Sequence, residues 1–598
     1  MIDLRKLTLE ISLLRSCYRS GDFTPVEVVR EIYRRIRERG DDHVWIHLVP
    51  EAEAIARAET LSSQLHLPLA GVPCAIKDNI DLAGAPTTAG CPSFAYTPES
   101  SATCVRLLEE AGAIIIGKTN MDQFATGLVG MRTPHGPCTS VYHPEFISGG
   151  SSSGSAVAVA AGLVSFSLGT DTAGSGRVPA AFNGIVGLKP SRGVIGCTGV
   201  VPACRSLDCV SIFANDPDDA ALVLDLLARP DDADPYSRAF GDRAPFSRPF
   251  RFGIPMAGQL DFLGDVAASA LYDGAVARFV EMGGLPVEID ISPFLETAEL
   301  LYGGPWVAER YSAVGKFIDE HPDEVDPTVA GIISRGGSLT AADAFSATYK
   351  LKTLRKRCAP AWQQIDFLLL PTTPTIYRID EVLADPITLN SNLGRYTNFV
   401  NLLDLAALAL PAGFRPDGLP LGVTIIAPAF SDFELCEVGR RFLGKPDSPR
   451  RRRNALESAG GRVELAVVGA HLTGYPLNHQ LVDLGATYIE TIETAPDYAL
   501  YALEGFHPPR PGLVCVGENK GVRIETEIWS LGERAFGKFV AAVPPPMTIG
   551  TVRLKDGRRV KGFLCEEFAT HHAEAISAHG GWRNYLNFTE LEKASQTG

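Results

Sequence analysis

The chain has 598 residues, of which 45% are hydrophobic and 21% charged, and its formal net charge is −15. This length exceeds one ordinary hydrophobic core, so we expect two or more domains. The acidic balance argues against a nucleic-acid scaffold, because binding to phosphates is driven by lysine and arginine.

The cysteines and the N-terminus point to an intracellular globular protein. Twelve cysteines occur without any C-x-x-C pair, which favours reduced thiols over a disulfide framework or a zinc site. The segment Met1 to Lys6 leads into a charged amphipathic pattern and does not resemble a signal peptide. The sequence has no charge-free apolar run of 18 residues, so a membrane span is not expected. We therefore predict a cytoplasmic protein without a metal.

Residues 1–65 are predicted to be helical. Thr24 is a typical helix cap, Pro25 suits a first helical turn, and apolar residues then recur at helical spacing. From about residue 70, short apolar runs alternate with longer helical stretches. The strand-like runs include Val72 to Ile76, Ile114 to Ile116, Ile185 to Leu188 and Phe367 to Leu370, and the helical ones Ala156 to Val164 and Val266 to Met282. This alternation predicts an α/β fold whose sheet is covered by helices on both faces.

A break in the pattern falls at residues 444–462, which are rich in glycine, proline, serine and arginine. Strand-like segments follow at Val463 to Val468, Gly521 to Leu531 and Thr551 to Leu564. We therefore predict a large domain at 1–443, a linker at 444–462 and a smaller, β-rich domain at 463–598.

Two literal motif matches compete for the function. Gly112 to Thr119 has the spacing of a phosphate-binding P-loop, but Ala113 to Ile116 within it form an apolar strand instead of a flexible turn. Gly150 to Gly154 matches the nucleophile elbow of Ser-His-Asp hydrolases, which needs a strand directly before it. The preceding residues, Tyr142 to Gly149, make a poor strand. Nucleotide binding is therefore disfavoured, and a Ser-His-Asp hydrolase is kept as a minor alternative.

The stretch from Gly149 to Pro179 is the most informative part of the sequence. It contains a Gly/Ser loop, a helix of alanine and valine with almost no polar face, and a second Gly-rich loop. Such a helix must be buried, so the two loops at its ends are held in the interior. Buried polar loops are costly unless they are used or hydrogen-bonded. The alternative interpretation is a structural Gly/Ser turn.

This stretch resembles the amidase signature family in both of its halves, Gly149 to Ser155 and Gly169 to Ser175. The resemblance extends to four further segments, Gly71 to Asn79, Gly117 to Ala125, Leu370 to Pro374 and Asn401 to Gly422. It covers roughly residues 1–440 and implies the family's fold, a central mixed sheet with helices on both faces.

The resemblance implies a Ser–cis-Ser–Lys triad. Ser175 would be the nucleophile, Ser151 would relay the proton, and a desolvated Lys77 with a lowered pKa would be the base. The peptide bond between Gly150 and Ser151 is expected to be cis. The oxyanion hole would be formed by the backbone N–H groups of Thr172, Ala173 and Gly174.

Within this family, the sequence most resembles the allophanate hydrolases. The segments that carry this narrower resemblance are Asp171 to Ala180, Leu301 to Arg310, Val467 to Asn478 and Glu525 to Trp529. It implies that Arg310, Tyr302 and the backbone of Gly127 bind allophanate, a small urea with a carboxylate, and that no cofactor is needed. Arg310 suits this role because a guanidinium grips a carboxylate bidentately.

The same resemblance implies a C-terminal α+β domain with a γ-glutamyl cyclotransferase-like fold. This domain is expected to promote decarboxylation of the carboxycarbamate product, with His471 and Glu527 as candidate residues. A homodimer and a functional link to a urea carboxylase are expected as well. Another activity of the family, a general amidase or the glutaminase subunit of a tRNA amidotransferase, is the alternative. A non-catalytic scaffold is disfavoured by the intact triad.

Overall fold

The protein forms two compact units, Met1–Asp447 and Ser448–Gly598. The structure is a computed structural model that describes residues 4, 7–241, 243, 245–247, 249–445 and 462–596. Most of the predicted linker, residues 446–461, therefore lies outside the described residues.

The first unit is built on a sheet with eleven described strands. Strands β1 to β11 are, in chain order, Trp45–Leu48, Pro73–Lys77, Ile114–Thr119, Phe166–Asp171, Val186–Lys189, Cys209–Ala214, Arg251–Pro255, Leu285–Ile289, Phe367–Pro371, Leu405–Phe414 and Pro420–Pro428. Their order across the sheet is β1-β3-β2-β4-β6-β5-β10-β11-β9-β7-β8. The groups β3-β2-β4 and β9-β7-β8 are parallel. Because the intervening pairs are antiparallel, the sheet is mixed.

Helices cover both faces of this sheet, as predicted. Helices α1 to α17 are Ile11–Ser20, Pro25–Arg39, Glu51–Leu61, Thr103–Glu110, Ser153–Ala160, Val178–Phe182, Pro217–Leu227, Val266–Glu281, Ser292–Gly303, Trp306–Glu320, Pro327–Ser334, Ala341–Cys358, Ala361–Gln364, Ile379–Ala384, Thr388–Leu393, Phe399–Leu402 and Asp432–Phe442. Neighbouring strand residues enter different hydrophobic clusters: Ile115 packs with α4 and α7, whereas Ile114 and Ile116 pack with α2 and α5. Each β3 side chain thus faces one of two buried layers.

The N-terminal region confirms one prediction and corrects another. Helix α2 begins with a capping box, in which Glu27 N donates to Thr24 Oγ1 at 3.2 Å and Thr24 N donates to the Glu27 carboxylate at 2.8 Å. The prediction that residues 1–65 are all helical is wrong at β1. This four-residue strand exists because it pairs antiparallel with the edge of β3, and so short a strand has no periodicity to detect.

Helix α5 places the first serine loop inside the molecule. Every residue from Ser153 to Val159 is buried, as the apolar sequence predicts. The helix begins and ends a few residues earlier than the predicted Ala156 to Val164. Because α5 contacts β2, β3 and β4, the loop before it lies over the ends of those strands.

The second unit contains two sheets. Strands β12 to β19 are Arg462–Val467, Thr487–Glu493, Tyr498–Leu503, Arg510–Cys515, Glu525–Gly532, Met547–Arg553, Arg559–Cys565 and Glu574–Ala575, and helices α18 to α20 are Asn478–Asp483, Glu533–Ala541 and Trp582–Gln596. The sheets have the orders β13-β16-β12-β18-β17 and β15-β14-β19. The last predicted segment is two strands, β17 and β18, paired as an antiparallel hairpin.

Within the described part of the chain, no helix combines the length and hydropathy required to cross a bilayer. The described residues also contain no cluster of three or more potential metal-ligating side chains of histidine, cysteine, aspartate or glutamate. All twelve cysteines lie among the described residues, and each is free.

Candidate active site

The candidate site lies at the carboxyl ends of two adjacent parallel strands, β2 and β4, where the candidate lysine meets the first serine loop. Lys77 is the last residue of β2, and Asp171 the last of β4. Lys77 Nζ lies 2.7 Å from Ser151 Oγ and 2.9 Å from Thr170 Oγ1. The peptide bond between Gly150 and Ser151 is cis. Lysine and serine, 74 residues apart in sequence, are therefore in direct contact.

The environment of Lys77 favours its neutral form. Its side chain is fully buried, and this burial lowers the pKa of Lys77 to about 7 against the opposing influence of nearby carboxylates, Asp122 foremost. A charged ammonium loses its hydration when it is buried, so the neutral amine is favoured. An unprotonated lysine at neutral pH can accept a proton from a hydroxyl.

Asp171 holds the second serine loop on both sides of Ser175. Gly174 N and Gly176 N donate to its carboxylate at 2.9 and 3.0 Å. Arg177 adds a bidentate ion pair, with both contacts at 2.9 Å. Ser175 itself is 2% exposed. The loop is therefore fixed by a fully buried pair whose charges and hydrogen bonds are mutually satisfied.

The predicted oxyanion residues form the start of this loop. Gly174 has φ +139°, and a Cβ there would lie 2.5 Å from Thr397 Oγ1, so the position requires glycine. Because Gly174 N–H already donates to Asp171, it is less available than the N–H groups of Thr172 and Ala173. The Thr172 side chain donates to Asp208 through a short hydrogen bond.

Asp122 is a structural part of the site to which the sequence analysis assigned no role. Its carboxylate accepts hydrogen bonds from Gly130 N at 3.1 Å and Arg132 N at 2.8 Å. A Cβ at Gly127 or at Gly150 would lie 2.5 or 2.1 Å from Asp122 Oδ2. Asp122 thus packs directly against the predicted substrate-binding glycine and the cis peptide. Its only sequence signal is its place in the family-like segment from Gly117 to Ala125.

Arg310 is buried near Gly127, and none of the described residues gives it an acidic partner. It is 1% exposed, its Nη1 donates to Thr126 Oγ1 at 2.9 Å, and its Nη2 lies 3.4 Å from Tyr302 Oη. Its Nε is buried without a hydrogen-bond acceptor. Among the described residues, no carboxylate forms an ion pair with this guanidinium, whose charge acts on Lys77 through space.

Comparison with Arg177 shows how unusual Arg310 is. Both guanidinium groups are fully buried, but that of Arg177 is neutralised by Asp171. Burial acts to lower the pKa of Arg310, but nearby acidic groups, among them Asp208 and Glu309, act through space and raise it on balance. None of the described carboxylates forms an ion pair with Arg310, and a buried cation is best satisfied by a directly bonded anion. The arrangement around Arg310 therefore fits an anion supplied by a ligand.

In the second unit, His471 lines a cavity of about 160 Å³. Its ring stacks on Phe563, with centroids 4.9 Å apart, and Nε2 lies 3.0 Å from Gln480 Oε1. Burial lowers the pKa of His471, so the imidazole is favoured in its neutral form. Arg510 also lines the cavity, and its Nε is buried without an acceptor.

Glu527 is not among the residues that line this cavity. Its carboxylate accepts hydrogen bonds from Thr473 N at 2.9 Å, Trp529 Nε1 at 3.1 Å and Arg583 Nη2 at 2.6 Å. Burial alone would raise the pKa of Glu527, but the hydrogen bonds, first that of Arg583, lower it. Glu527 therefore does not share the cavity of His471, and its carboxylate is occupied by hydrogen bonds from neighbouring residues.

Comparison with known proteins places the chain in a family. A model described as amidase matches residues 27–436, and a model described as the allophanate hydrolase C-terminal domain matches residues 463–587. Since the first match covers more than half of the chain, the chain belongs to the amidase family. Within that family, it has the two-domain composition of the allophanate hydrolases.

Individual relatives agree with this composition. A urea amidolyase of Lachancea kluyveri is 44% identical over 580 residues, which are 93% of this chain and 32% of that protein. The chain thus spans about a third of the length of this curated relative. A solved structure of Kluyveromyces lactis allophanate hydrolase is 40% identical, has a TM-score of 0.76, and covers 98% of this chain and 100% of that one. A glutamyl-tRNA(Gln) amidotransferase subunit of Symbiobacterium thermophilum is more distant, at 33% identity over 76% of this chain and 100% of that protein.

Proposed function

We propose that this chain hydrolyses allophanate to ammonia and carbon dioxide in urea degradation. The observation that carries the proposal is the buried Arg310, which has a free Nε and no ion-paired carboxylate among the described residues. Its charge acts through space on Lys77, the lysine of the lysine–serine pair. Allophanate supplies the anion that this site lacks. Its carboxylate can accept hydrogen bonds from the guanidinium of Arg310 while its terminal amide reaches the serine loops. Tyr302 and the backbone of Gly127 complete the binding site.

The first chemical step is acyl transfer to Ser175. Neutral Lys77 takes a proton from Ser151, Ser151 takes one from Ser175, and the Ser175 oxygen attacks the terminal carbonyl carbon. The N–H groups of Thr172 and Ala173 stabilise the oxyanion. When the C–N bond breaks, the proton returns to the leaving nitrogen, so ammonia departs and a carboxycarbamoyl ester stays on Ser175.

Water completes the cycle by the same proton route. It loses a proton towards Lys77, attacks the ester and releases carboxycarbamate while Ser175 regains its hydrogen. Carboxycarbamate then loses carbon dioxide to give carbamate, which splits into ammonia and a second carbon dioxide.

The cavity of the second unit is our proposed site for the decarboxylation. His471 contributes a neutral imidazole as a proton relay: one ring nitrogen accepts the proton of the carbamic acid O–H while the other donates a proton to the substrate nitrogen as carbon dioxide leaves. Arg510 contributes a cation for the remaining carboxylate. We assign Glu527 a bracing role, since its oxygens already hold Thr473, Trp529 and Arg583.

The wider setting follows from the same proposal. The boundaries 1–443 and 463–598 are proposed for the two domains. Twelve free cysteines support a reducing, cytoplasmic location. We also propose a homodimer, on family resemblance alone. A functional link to a urea carboxylase is proposed because allophanate is a carboxylated urea and the relative named urea amidolyase is much longer than this chain.

The experiment that tests the substrate compares anionic and neutral amides of one length. Malonamate and malonamide differ only in a carboxylate at one end, so we expect the wild-type protein to prefer malonamate, and allophanate above both. Arg310→Ala should lower kcat/KM for the anionic substrates roughly 100-fold, mostly through KM, because a bound carboxylate loses its charged partner. Arg310→Lys keeps the positive charge but cannot bind a carboxylate bidentately, so its kcat/KM for the anionic substrates should lie between those of the wild type and Arg310→Ala.

Two outcomes would contradict the proposal. Equal ammonia release from malonamate, malonamide and simple aliphatic amides would indicate a general amidase. Efficient release from glutamine would favour the glutaminase alternative.

A further inference from the structure

A tight turn, residues 203–208, lies between the oxyanion loop and the helix that carries Arg310. Leu207 N and Asp208 N both donate to Cys204 O, at 2.8 and 2.9 Å. Asp208 Oδ2 accepts from Ala203 N at 2.8 Å, and its Oδ1 from Cys204 N at 3.2 Å. The first and last residues of the 203–208 turn are therefore tied to each other.

One side of the 203–208 turn is fixed to the oxyanion loop. The hydroxyl of Thr172 donates to the Asp208 carboxylate. The amide of Asn401 donates to Asp171 O at 2.7 Å and to Leu207 O at 3.0 Å, so it bridges the loop and the turn. All five residues are buried, which leaves little room for relative movement.

The other side is fixed to the first turn of α10. Both oxygens of Glu309 accept from Ser206, one from its backbone N–H and one from its hydroxyl, each at 2.7 Å. Cys204 Sγ makes a weaker contact with Trp306 O at 3.4 Å. Arg310 is the next residue after Glu309, so its backbone position is set by this junction.

We propose that the 203–208 turn sets the spacing between the oxyanion donors and Arg310, and that Glu309 is a positioning residue which makes the site selective for a carboxylate at that spacing. The inference rests on the proposed function. A short, rigid substrate must reach both ends of the site at once, and a displacement of about 1 Å is enough to lower rates about 100-fold. Neutral amides do not use Arg310 and are insensitive to this spacing.

The test measures the ratio of kcat/KM for malonamate to that for malonamide in the full-length protein. Glu309→Ala should lower this ratio roughly 10- to 100-fold, with most of the change in KM for malonamate. Glu309→Gln should retain most of the ratio, because its amide oxygen accepts from Ser206 N and its NH₂ donates to the serine hydroxyl.

Matched variants separate positioning from general damage. Glu320→Ala makes the same chemical change at the last residue of α10, where the side chain is 58% exposed, and should leave the ratio and the thermal midpoint unchanged. Ser206→Ala removes one of the two hydrogen bonds and should move the ratio in the same direction by a smaller factor. If Glu309→Ala does not fold, the ratio measured for Ser206→Ala tests the positioning role of Glu309.

Equal losses on both substrates in Glu309→Ala and Ser206→Ala, or an unchanged ratio in both, would overturn the inference. A wild-type protein without preference for malonamate would instead overturn the proposed function, and the inference with it. The wild-type and variant measurements therefore distinguish the two failures.

Discussion

The chemistry of the proposed site depends on the desolvation of one amine, that of Lys77. Lys77 is surrounded by protein, and its contacts are two hydroxyl groups instead of a carboxylate. This differs from Lys118, which is also buried but lies 3.3 Å from Asp78. Of these two buried lysines, Lys77 has partners that suit proton exchange, and Lys118 is part of an ion pair.

Substitution of the nucleophile is the most direct prediction at this scale. Ser175→Ala should lower ammonia release from allophanate at least about 1000-fold, because no other group can form the acyl-enzyme. Ser152, the central serine of the elbow-like match, donates to Thr170 O at 3.2 Å and serves as the matched control. Ser152→Ala should retain activity within about tenfold, since it loses only two hydrogen bonds with the Thr170 backbone, each worth about 1 kcal/mol. The reverse pattern would assign the nucleophile to Ser152.

The pH dependence should report the ionisation of the base. Because Lys77 must be neutral to accept a proton and burial lowers its pKa to about 7, kcat/KM should rise with pH and level off above about pH 7. Burial also raises the pKa of Asp208, to about 6, and its ionisation would produce a limb of the same sign. In Asp208→Asn the rise of kcat/KM with pH should persist. If it disappears, the rise reports the ionisation of Asp208 and not that of Lys77.

At the scale of elements, the site depends on how closely α5 approaches its neighbours. Gly154 lies in this helix, and a Cβ there would be 2.5 Å from Val44 O and 2.7 Å from Asn120 N. Both are backbone atoms, which cannot move aside as a flexible side chain could. The absence of a side chain at residue 154 therefore lets the helix bring Ser151 and the loop around it against β3.

Two glycine substitutions test how closely α5 packs against its neighbours. Gly154→Ala should destabilise the first unit by about 1–3 kcal/mol, because α5 must shift from its packed position. Gly274 lies in α8 with nothing within 4 Å of its would-be Cβ, so Gly274→Ala should stabilise by up to about 1 kcal/mol. Thermal unfolding of the two variants beside the wild type measures both effects. A neutral Gly154→Ala would mean that α5 is not closely packed.

Elements with long apolar runs were predictable, whereas those defined by distant partners were not. The runs at β2, β3, β5 and β9 gave strands near their observed bounds, because strands that are buried on both faces are apolar throughout. The four residues of β1 were missed because pairing, not pattern, makes them a strand. The contact between Lys77 and Ser151 and the cis peptide were predicted by resemblance, and the role of Ser175 as nucleophile stays a prediction. Asp122 lies in a family-like segment, but no role followed from its position there. The 203–208 turn was not predicted because its hydrogen bonds to Glu309 and Asn401 span 103 and 194 residues.

On the scale of the whole molecule, two units divide one proposed reaction. The first has the serine loops and Arg310 with its free Nε, and the second has a cavity with His471 and Arg510. If the second unit acts after the first, a change in its cavity should leave the first ammonia untouched.

His471→Ala tests that division. Release of the first equivalent of ammonia should keep its wild-type rate, while carbon dioxide evolution should slow at least about tenfold, because proton transfer to nitrogen is lost. His479, eight residues along the chain and exposed, provides the matched control, and His479→Ala should change neither rate. Identical time courses for carbon dioxide in His471→Ala and wild type would leave the cavity without a catalytic role.

The sheet order of the first unit has a consequence for how the protein is made. Asp171 O accepts a hydrogen bond from Asn401, 230 residues later, and β5 pairs with β10 across a similar interval. At ordinary elongation rates, roughly 10 to 50 s separate their emergence from the ribosome. During that time Asp171 lacks its hydrogen bond from Asn401 and β5 lacks its partner β10, so the nascent chain exposes apolar surface of the kind that chaperones bind. A newly synthesised chain can therefore complete the hydrogen bonds that hold the loop around Ser175 only after Asn401 has been added.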